Sequence, residues 1–240
     1  MAAQWFEHQL DPRCHPDPTV STVSVPDILD NESPSHYESC LATLGLTSHE
    51  ETLSESDPDT ADGAAAMTNP SAGTEVEPGS QVDVGKNPSV RVGATEDPRC
   101  KPQPPGDVGD PGQNPPGYAG LNPAYQLQAS YPGSNPTLES RPPDSIELYW
   151  GTTRWGLRKI KLKHGYGEGD ESDTKKALTN PPTGVLFASN QTWNFHDFYD
   201  VEQVDGGVLH CVRTVSVQYL PDRGQTQRKG ITNSFSGILP

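Results

Sequence analysis

Histidine and cysteine side chains lie close together at two places in the chain. His36 and Cys40 are four residues apart, so on a helix they would lie on one face, where both could bind a metal ion. Together with Cys14 upstream they form a candidate zinc-binding site. The chain lacks the paired Cys-x-x-Cys and His-Glu-x-x-His spacings that make such a site specific. His210 and Cys211 are neighbours, so on a strand they face opposite sides and cannot form a nucleophile pair. The sequence therefore predicts no metal site, no cofactor and no enzymatic activity.

A glycine-rich segment, GYGEGD, lies at residues 165–170. A phosphate-binding loop needs positive charge beside its glycines, whereas acidic residues stand in those places here. The pattern therefore predicts a hairpin turn.

Aromatic and cationic residues are interleaved over residues 149–167. Stacking rings beside a cationic groove are what binding of single-stranded nucleic acid requires. The run from Arg158 to Lys163 alternates between cationic and apolar residues, which predicts a half-buried strand. The candidate contacts are Trp150, Arg154, Trp155, Arg158, Lys159, Lys161, Lys163 and Tyr166. Two alternatives stay open: the lysines only keep a strand edge soluble, or the basic run attracts the acidic arm of the same chain and is masked by it.

A Pro-Pro-x-Tyr motif is formed by Pro115, Pro116 and Tyr118. Adjacent prolines favour the polyproline II conformation in advance of binding, so docking costs little ordering entropy. Proline rings fit the aromatic slot of WW-type domains, and the tyrosine fills a second pocket. The motif predicts a WW-domain-type partner, although a chance match is an alternative in so proline-rich a segment.

A second tyrosine motif follows, with Asn122, Pro123 and Tyr125 in an Asn-Pro-x-Tyr arrangement. Asn-Pro begins a tight turn that can present the tyrosine to a phosphotyrosine-type binding module.

A short helical docking segment is predicted at residues 33–46. Ser35 and Glu38 have capping-box spacing, and Gly45 supplies a helix stop, so the helix should cover about 36–44. A helix this short is unstable alone and needs either its own domain or a partner's groove. The residues predicted to dock are Tyr37, Leu41, Leu44 and Leu46.

Residues 27–57 mix isolated apolar side chains with many carboxylates, a composition typical of transcriptional activation segments. A solvated acidic tail is the plainer interpretation. Ser48, Ser54 and Ser56 lie in acidic surroundings and are candidate phosphorylation sites.

Composition divides the chain near residue 145. Residues 1–145 hold 22 Asp and Glu against 6 Lys and Arg, together with 21 of the 25 prolines, whereas the remainder is nearly neutral. Low hydrophobicity with high net charge does not offset chain entropy, so the first part should be mostly disordered. The predicted organisation is an acidic Pro/Gly-rich arm at 1–32, the docking segment at 33–46, a disordered linker at 47–145 and a small β-rich domain at 146–240.

The region after residue 145 carries strand signals. Residues 208–219 alternate, residues 184–187 are an apolar run, and turns are expected at 165–173, 180–184 and 205–207. No amphipathic helix is evident here. We expect an all-β domain of four to six strands, an antiparallel sandwich or a partly open barrel.

Four cysteines are scattered along the chain, which argues against a disulfide framework. No segment has the length or apolar content of a signal peptide or a membrane span. These features predict location in the cytoplasm or nucleus, with the glycosylation sequons at Asn31 and Asn190 unused.

Three functions fit these features. The first is a non-catalytic adaptor, of viral or host origin, that recruits partners through linear motifs. The second is a transcriptional regulator that contacts the transcription machinery through residues 27–57 and nucleic acid through residues 149–166. The third is a structural, capsid-like protein that assembles through its β domain.

Overall fold

The computed structural model describes residues 11–16, 20–57, 59–89, 94–101, 110–120, 122–132 and 145–238. Three α-helices, three single-turn 3₁₀ helices and twelve strands lie in these residues. The α-helices are α1 (Pro34–Thr43), α2 (Gly156–His164) and α3 (Glu168–Thr179). The strands before residue 100 are β1 (Val23–Ser24), β2 (Thr47–Thr52), β3 (Ala65–Asn69), β4 (Glu75–Val76), β5 (Gln81–Lys86) and β6 (Thr95–Glu96). The later strands are β7 (Leu127–Tyr131), β8 (Ile146–Tyr149), β9 (Pro182–Phe187), β10 (Thr192–Glu202), β11 (Val208–Gln218) and β12 (Gly230–Ile238).

A seven-stranded antiparallel sheet, called the main sheet below, dominates the molecule. Its order is β7-β8-β12-β11-β10-β9, and β6 pairs additionally with β12. The predicted β-rich character of this region is thereby confirmed. Strands β6 and β7 precede residue 146, so the structural unit extends beyond the predicted boundary.

The main sheet is apolar on the face that packs against α2 and α3. Phe195, Val215 and Ile231 are each fully buried there, with Ile160 of α2 and Ala177 of α3 against them. Arg213 fixes α3 to the sheet, because its buried guanidinium lies 2.7 Å from Asp170 Oδ1. This face therefore holds the largest apolar core.

Two sequence predictions in this region are wrong. The run 158–163 lies in α2, not in a strand, and the expected turn at 165–173 is largely α3. Leu157, Ile160 and His164 of α2 are buried, spaced at i, i+3 and i+7, as is Gly156 at the start of the helix. Lys, Arg and Leu are good helix formers, so the run 158–163 is compatible with a helix as well as with a strand. The packing of the buried residues against the main sheet favours the helix.

Residues 20–89 form a second unit, called the N-terminal lobe below. Its three-stranded sheet has the order β2-β5-β3, with β2 parallel and β3 antiparallel to β5. Val82 and Val84 of β5 are fully buried and pack in one cluster with α1. The prediction of a disordered linker is therefore wrong for the described residues between 47 and 89. Residues 1–10 and 17–19 of the predicted arm, and residues 58, 90–93, 102–109, 121 and 133–144 of the predicted linker, lie outside the described residues, so the prediction of disorder stays untested there.

Helix α1 confirms the predicted helix, with its start two residues earlier than expected. Ser33 is the N-cap and accepts a hydrogen bond from the His36 amide. The Leu46 amide donates to the Leu41 carbonyl across Gly45 (φ 77°), which is a Schellman end. The apolar stripe of Tyr37, Leu41, Leu44 and Leu46 is buried in the lobe's own core. The helix therefore docks within this chain.

All four cysteines pair, so the expectation of no disulfides is wrong. Cys14 joins Cys40, and Cys100 joins Cys211. The second bond links a segment before β7 to the middle of the main sheet. Large sequence separations hid both pairings, because spacing alone does not report spatial proximity.

The described helices are all short and polar, and none of them has the length and apolar content that crossing a membrane requires.

Candidate functional site

A cavity of about 130 Å³ lies between the polar face of the main sheet and the N-terminal lobe. We call it the central cavity. Strands β10 and β11 form its floor, β3 and the segment 55–57 form one wall, and Trp155 and Lys159 close another side. The groups lining the floor are Thr192, Asn194, Thr214, Ser216 and Gln218.

Strand alternation creates this polar floor. Asn194 of β10 lies directly across from Ser216 of β11, and His196 lies across from Thr214. Alternate residues of a strand share a face, so the apolar side chains between them point to the helix-covered core. The Ser216 hydroxyl donates to Asn194 Oδ1 at 2.7 Å. The Thr214 hydroxyl is buried on the same floor, and no partner for it occurs among the described residues.

A buried carboxylate stands at the lobe side of the floor. Glu55 is 9% exposed, and its Oε2 accepts a hydrogen bond of 2.6 Å from Asn194 Nδ2. His196 Nε2 lies 3.8 Å from the same oxygen. Burial lowers the pKa of His196, and the attraction of Glu55 opposes this only in part. The imidazole is consequently neutral at pH 7, so it places no positive charge beside the Glu55 carboxyl group.

Ser71, Lys229 and Asp222 meet at the opposite end of the cavity. Lys229 Nζ lies 2.7 Å from Asp222 Oδ2, and both contact the Ser71 hydroxyl. Burial lowers the pKa of Lys229, and Asp222 opposes this only in part. Burial raises the pKa of Asp222, but Lys229 and hydrogen bonds from Ser71 and Gln218 lower it overall. A serine–lysine nucleophile needs a neutral amine, and a carboxylate 2.7 Å away favours the ammonium form. We interpret Lys229 and Asp222 as an ion pair of the β11–β12 loop. Their shared contact with the Ser71 hydroxyl attaches this loop to the N-terminal lobe.

A second buried network surrounds His164 at the end of α2. Its Nδ1 lies 2.8 Å from Glu96 Oε2, and its Nε2 lies 2.8 Å from Asn233 Oδ1. Asp59 is also near, so an imidazole and two carboxylates are grouped closely enough to hold a cation. Lysine ammonium groups already neutralise these carboxylates, with Lys159 Nζ 3.3 Å from Asp59 and Lys101 Nζ 3.8 Å from Glu96. The arrangement therefore serves as an ion-pair network across the lobe boundary.

The cluster of Asp11, Glu32 and His36 has the same explanation. Arg13 lies 2.8 Å from Glu32 Oε1 and also contacts Asp11, so a guanidinium fills the space between the carboxylates. This lowers the pKa of Asp11 to about 2. Cys40, drawn above as a zinc ligand, is in a disulfide with Cys14.

The residues predicted to contact nucleic acid do not form a stacking surface. Trp150 and Trp155 are 2% and 7% exposed. Arg154, Arg158 and Lys159 pair with Asp27, Asp110 and Asp59 respectively. Lys163 is exposed, whereas Lys161 and Tyr166 are half-buried. The alternative that the basic run pairs with acidic residues of the same chain is thus confirmed for three of its cations.

The Pro-Pro-x-Tyr motif lies in a turn on the surface. The Tyr118 amide donates to the Pro115 carbonyl at 3.1 Å, with Gly117 at φ 75°. Pro115 is buried, Pro116 is exposed and Tyr118 is half-buried. A WW groove reads an extended polyproline helix, so this loop must open before it can bind in that way.

The Asn-Pro-x-Tyr motif forms the predicted tight turn, with a single 3₁₀ turn over Pro123–Tyr125. Tyr125 packs against Tyr149 and Trp155, with ring centroids 5.7 and 5.2 Å away. Its half-buried ring is therefore part of the domain's own packing.

The three candidate phosphorylation sites differ in accessibility. Ser48 and Ser54 are exposed, whereas Ser56 is buried in the cavity wall. Of the three predicted sites, only Ser48 and Ser54 are therefore accessible to a kinase in the folded protein.

The central cavity was missed in the sequence. In the sequence, the cavity floor shows only as polar residues at alternate positions of β10 and β11. A strand with one face exposed to solvent has the same pattern, so the cavity could not be predicted from it. No family model, curated protein or solved structure matches the chain.

Proposed function

We propose that this protein is a non-catalytic binding protein that holds a small, hydroxyl-rich ligand of monosaccharide size in the central cavity. The observation that carries the proposal is the buried Thr214 hydroxyl, which makes no hydrogen bond among the described residues. A buried hydroxyl without a partner costs roughly 1–3 kcal/mol. A ligand group that bonds to it removes this cost.

The lining supports a polar ligand. Pockets for drug-sized molecules enclose roughly 300–1,000 Å³, whereas this cavity is smaller. Its lining is largely apolar, and its floor carries hydroxyl and amide groups. Apolar contacts come from Met67, Leu186 and Phe235 at the rim. Such a mixture fits a ring with hydroxyls at its edge and carbon on its faces.

The charges favour a neutral or amine-bearing ligand over an anion. Lys229 and Lys159 line the cavity, but each is matched by a carboxylate within 3.3 Å. Glu55 places carboxyl oxygens at the floor, with Oε2 2.6 Å from Asn194 Nδ2, and an anion there would face oxygen acceptors. An anion such as phosphate is therefore disfavoured.

The test is a titration of the full chain with D-glucose, D-glucosamine and inorganic phosphate, followed by two-dimensional amide NMR. We expect saturable shifts of β10 and β11 amides with the two sugars and none with phosphate. The variant Thr214→Val keeps the side-chain shape and removes the hydroxyl. It should weaken sugar binding about fivefold, since one hydrogen bond contributes roughly 1 kcal/mol.

The control Thr52→Val removes an exposed hydroxyl on β2 and should leave the affinity unchanged. Thr214→Val should also be no less stable than the parent, because it removes a buried hydroxyl without a partner. The proposal fails if neither sugar shifts the floor amides, or if Thr214→Val binds as well as the parent.

Binding of a WW-domain-type protein, of the transcription machinery or of nucleic acid stays a prediction, as does assembly into a capsid-like structure. The surface turn of the Pro-Pro-x-Tyr motif and the internal pairing of the basic run give these alternatives less support than the cavity has.

A further inference from the structure

The chain contains two Asn-x-Ser/Thr sequons, and the fold treats them differently. Asn31 lies on an exposed turn between the first segment of the N-terminal lobe and α1, whereas Asn190 is 4% exposed. Sequons are used only in the secretory route, where the acceptor asparagine has to end up on the surface.

The two disulfides bear on that route. Cys14–Cys40 ties the segment before the N-terminal lobe to α1, and Cys100–Cys211 ties the residues after β6 to the main sheet. Disulfides persist in oxidising compartments and are rare where thiols are kept reduced. A fold in which every cysteine is paired therefore matches the secretory compartment in which sequons are glycosylated.

The hydrogen bonds at Asn31 leave room for a glycan. Its Oδ1 accepts from the Ala61 amide at 3.1 Å, so the bond that holds the side chain uses the oxygen and not the nitrogen. The backbone has φ 59°, a left-handed conformation that asparagine tolerates better than most residues. A substituent on Nδ2 therefore leaves both the Oδ1 bond and the turn intact.

The side chain of Asn190 has no such freedom. Its Oδ1 accepts from the Thr192 hydroxyl at 2.6 Å, and its Nδ2 lies 3.4 Å from Asp222 Oδ1. The residue also lines the central cavity. A glycan at this position is incompatible with the closed lobe boundary.

We propose that Asn31 is an N-glycosylation site and that Asn190 stays unmodified in the folded protein. In the reaction, Asn31 Nδ2 forms a bond to C1 of the first N-acetylglucosamine of a lipid-diphosphate-linked oligosaccharide. The C1–O bond to the diphosphate breaks, the lipid diphosphate leaves with the bonding pair, and the amide nitrogen loses one proton. No oxidant or reductant takes part in this step. The site is independent of ligand binding in the cavity.

The test is secretion of the full chain, behind a secretion leader, from a eukaryotic cell line. We expect one glycan, seen as a single gel shift on treatment with an amidase that releases N-glycans. The amidase converts a glycosylated asparagine to aspartate when it releases the glycan. Peptide mass spectrometry should find this conversion at position 31. Both disulfides should be formed in the same sample.

The variant Asn31→Asp keeps an oxygen that accepts from Ala61 and removes the acceptor amide, so it should be secreted without the shift. Ser33→Thr preserves both the sequon and a helix-capping hydroxyl, and should keep the shift. Secreted protein that carries no glycan, a shift that survives in Asn31→Asp, or a glycan on Asn190 in oxidised, folded protein each overturns the proposal. So does a chain that reaches the medium with free thiols.

Discussion

At the scale of single residues, the molecule places titratable groups where their environment changes their behaviour. His196 is 6% exposed on β10, across from Thr214 of the cavity floor, and burial lowers its pKa from 6.5. Glu55 is the charged group that faces it, at 3.8 Å. Because the folded protein takes up this proton less readily than the unfolded chain, folding and protonation oppose one another.

We therefore expect the free energy of unfolding to fall as the pH is lowered from about 6.5 towards the lower pKa of His196. Above that range the contribution of His196 is fully present. Urea denaturation between pH 5 and 8 measures the effect. His196→Gln should flatten the pH dependence, whereas His210→Gln, which changes an exposed histidine of the β10–β11 hairpin, should not. An unchanged slope in His196→Gln contradicts this assignment.

At the scale of secondary-structure elements, the β11–β12 loop is held to the N-terminal lobe by buried charges. Lys229 and Asp222 are 9% and 4% exposed, and Arg223 of the same loop lies 2.7 Å from Asp83 of β5. Removing one partner of a buried pair leaves the other charge uncompensated, which costs about 3–5 kcal/mol.

Lys229→Met should accordingly lower the free energy of unfolding by about 3 kcal/mol. The matched control is Lys86→Met, which removes a lysine from a partly exposed pair with Glu50 (Nζ to Oε1 3.1 Å) and should cost less than about 1 kcal/mol. Chemical denaturation of both variants makes the comparison. Equal losses would show that the loop is not fastened by this pair.

Some elements of the fold can be predicted from local sequence patterns, whereas others depend on contacts between distant parts of the chain. The apolar stripe and the stop at Gly45 of α1 were predicted correctly from local signals, whereas the N-cap is Ser33 and not the predicted Ser35. The run 157–163 fits both an alternating and a helical period, and only the position of Ile160 under the main sheet decides between them. The N-terminal lobe was missed because its core uses few apolar residues and a disulfide, which a composition average does not register. The cavity was missed because its walls come from residues more than a hundred positions apart.

At the scale of the whole molecule, the disulfides close loops of different length. Cys100 and Cys211 are separated by 111 residues, and Cys14 and Cys40 by 26. In the chain-entropy account, the longer loop contributes about 5 kcal/mol and the shorter about 3.5 kcal/mol. Replacing Cys100 and Cys211 together by Ser should therefore destabilise the protein more than replacing Cys14 and Cys40.

Thermal and urea unfolding of the two double variants, each with the remaining disulfide verified by mass spectrometry, measures this order. Parent protein with both disulfides intact is the reference. The reverse order would mean that strain or residual structure in the unfolded chain outweighs loop length.

Strand β12 pairs with β11, β8 and β6, which come from widely separated parts of the chain. During synthesis, the backbone groups of β6, β8 and β11 that pair with β12 have no strand partner until residues 230–238 have been made. Contacts of such long sequence separation slow folding and leave nascent chains prone to association. The protein should thus depend on chaperones, or on delayed oxidation of its thiols, until this one segment inserts between its neighbours.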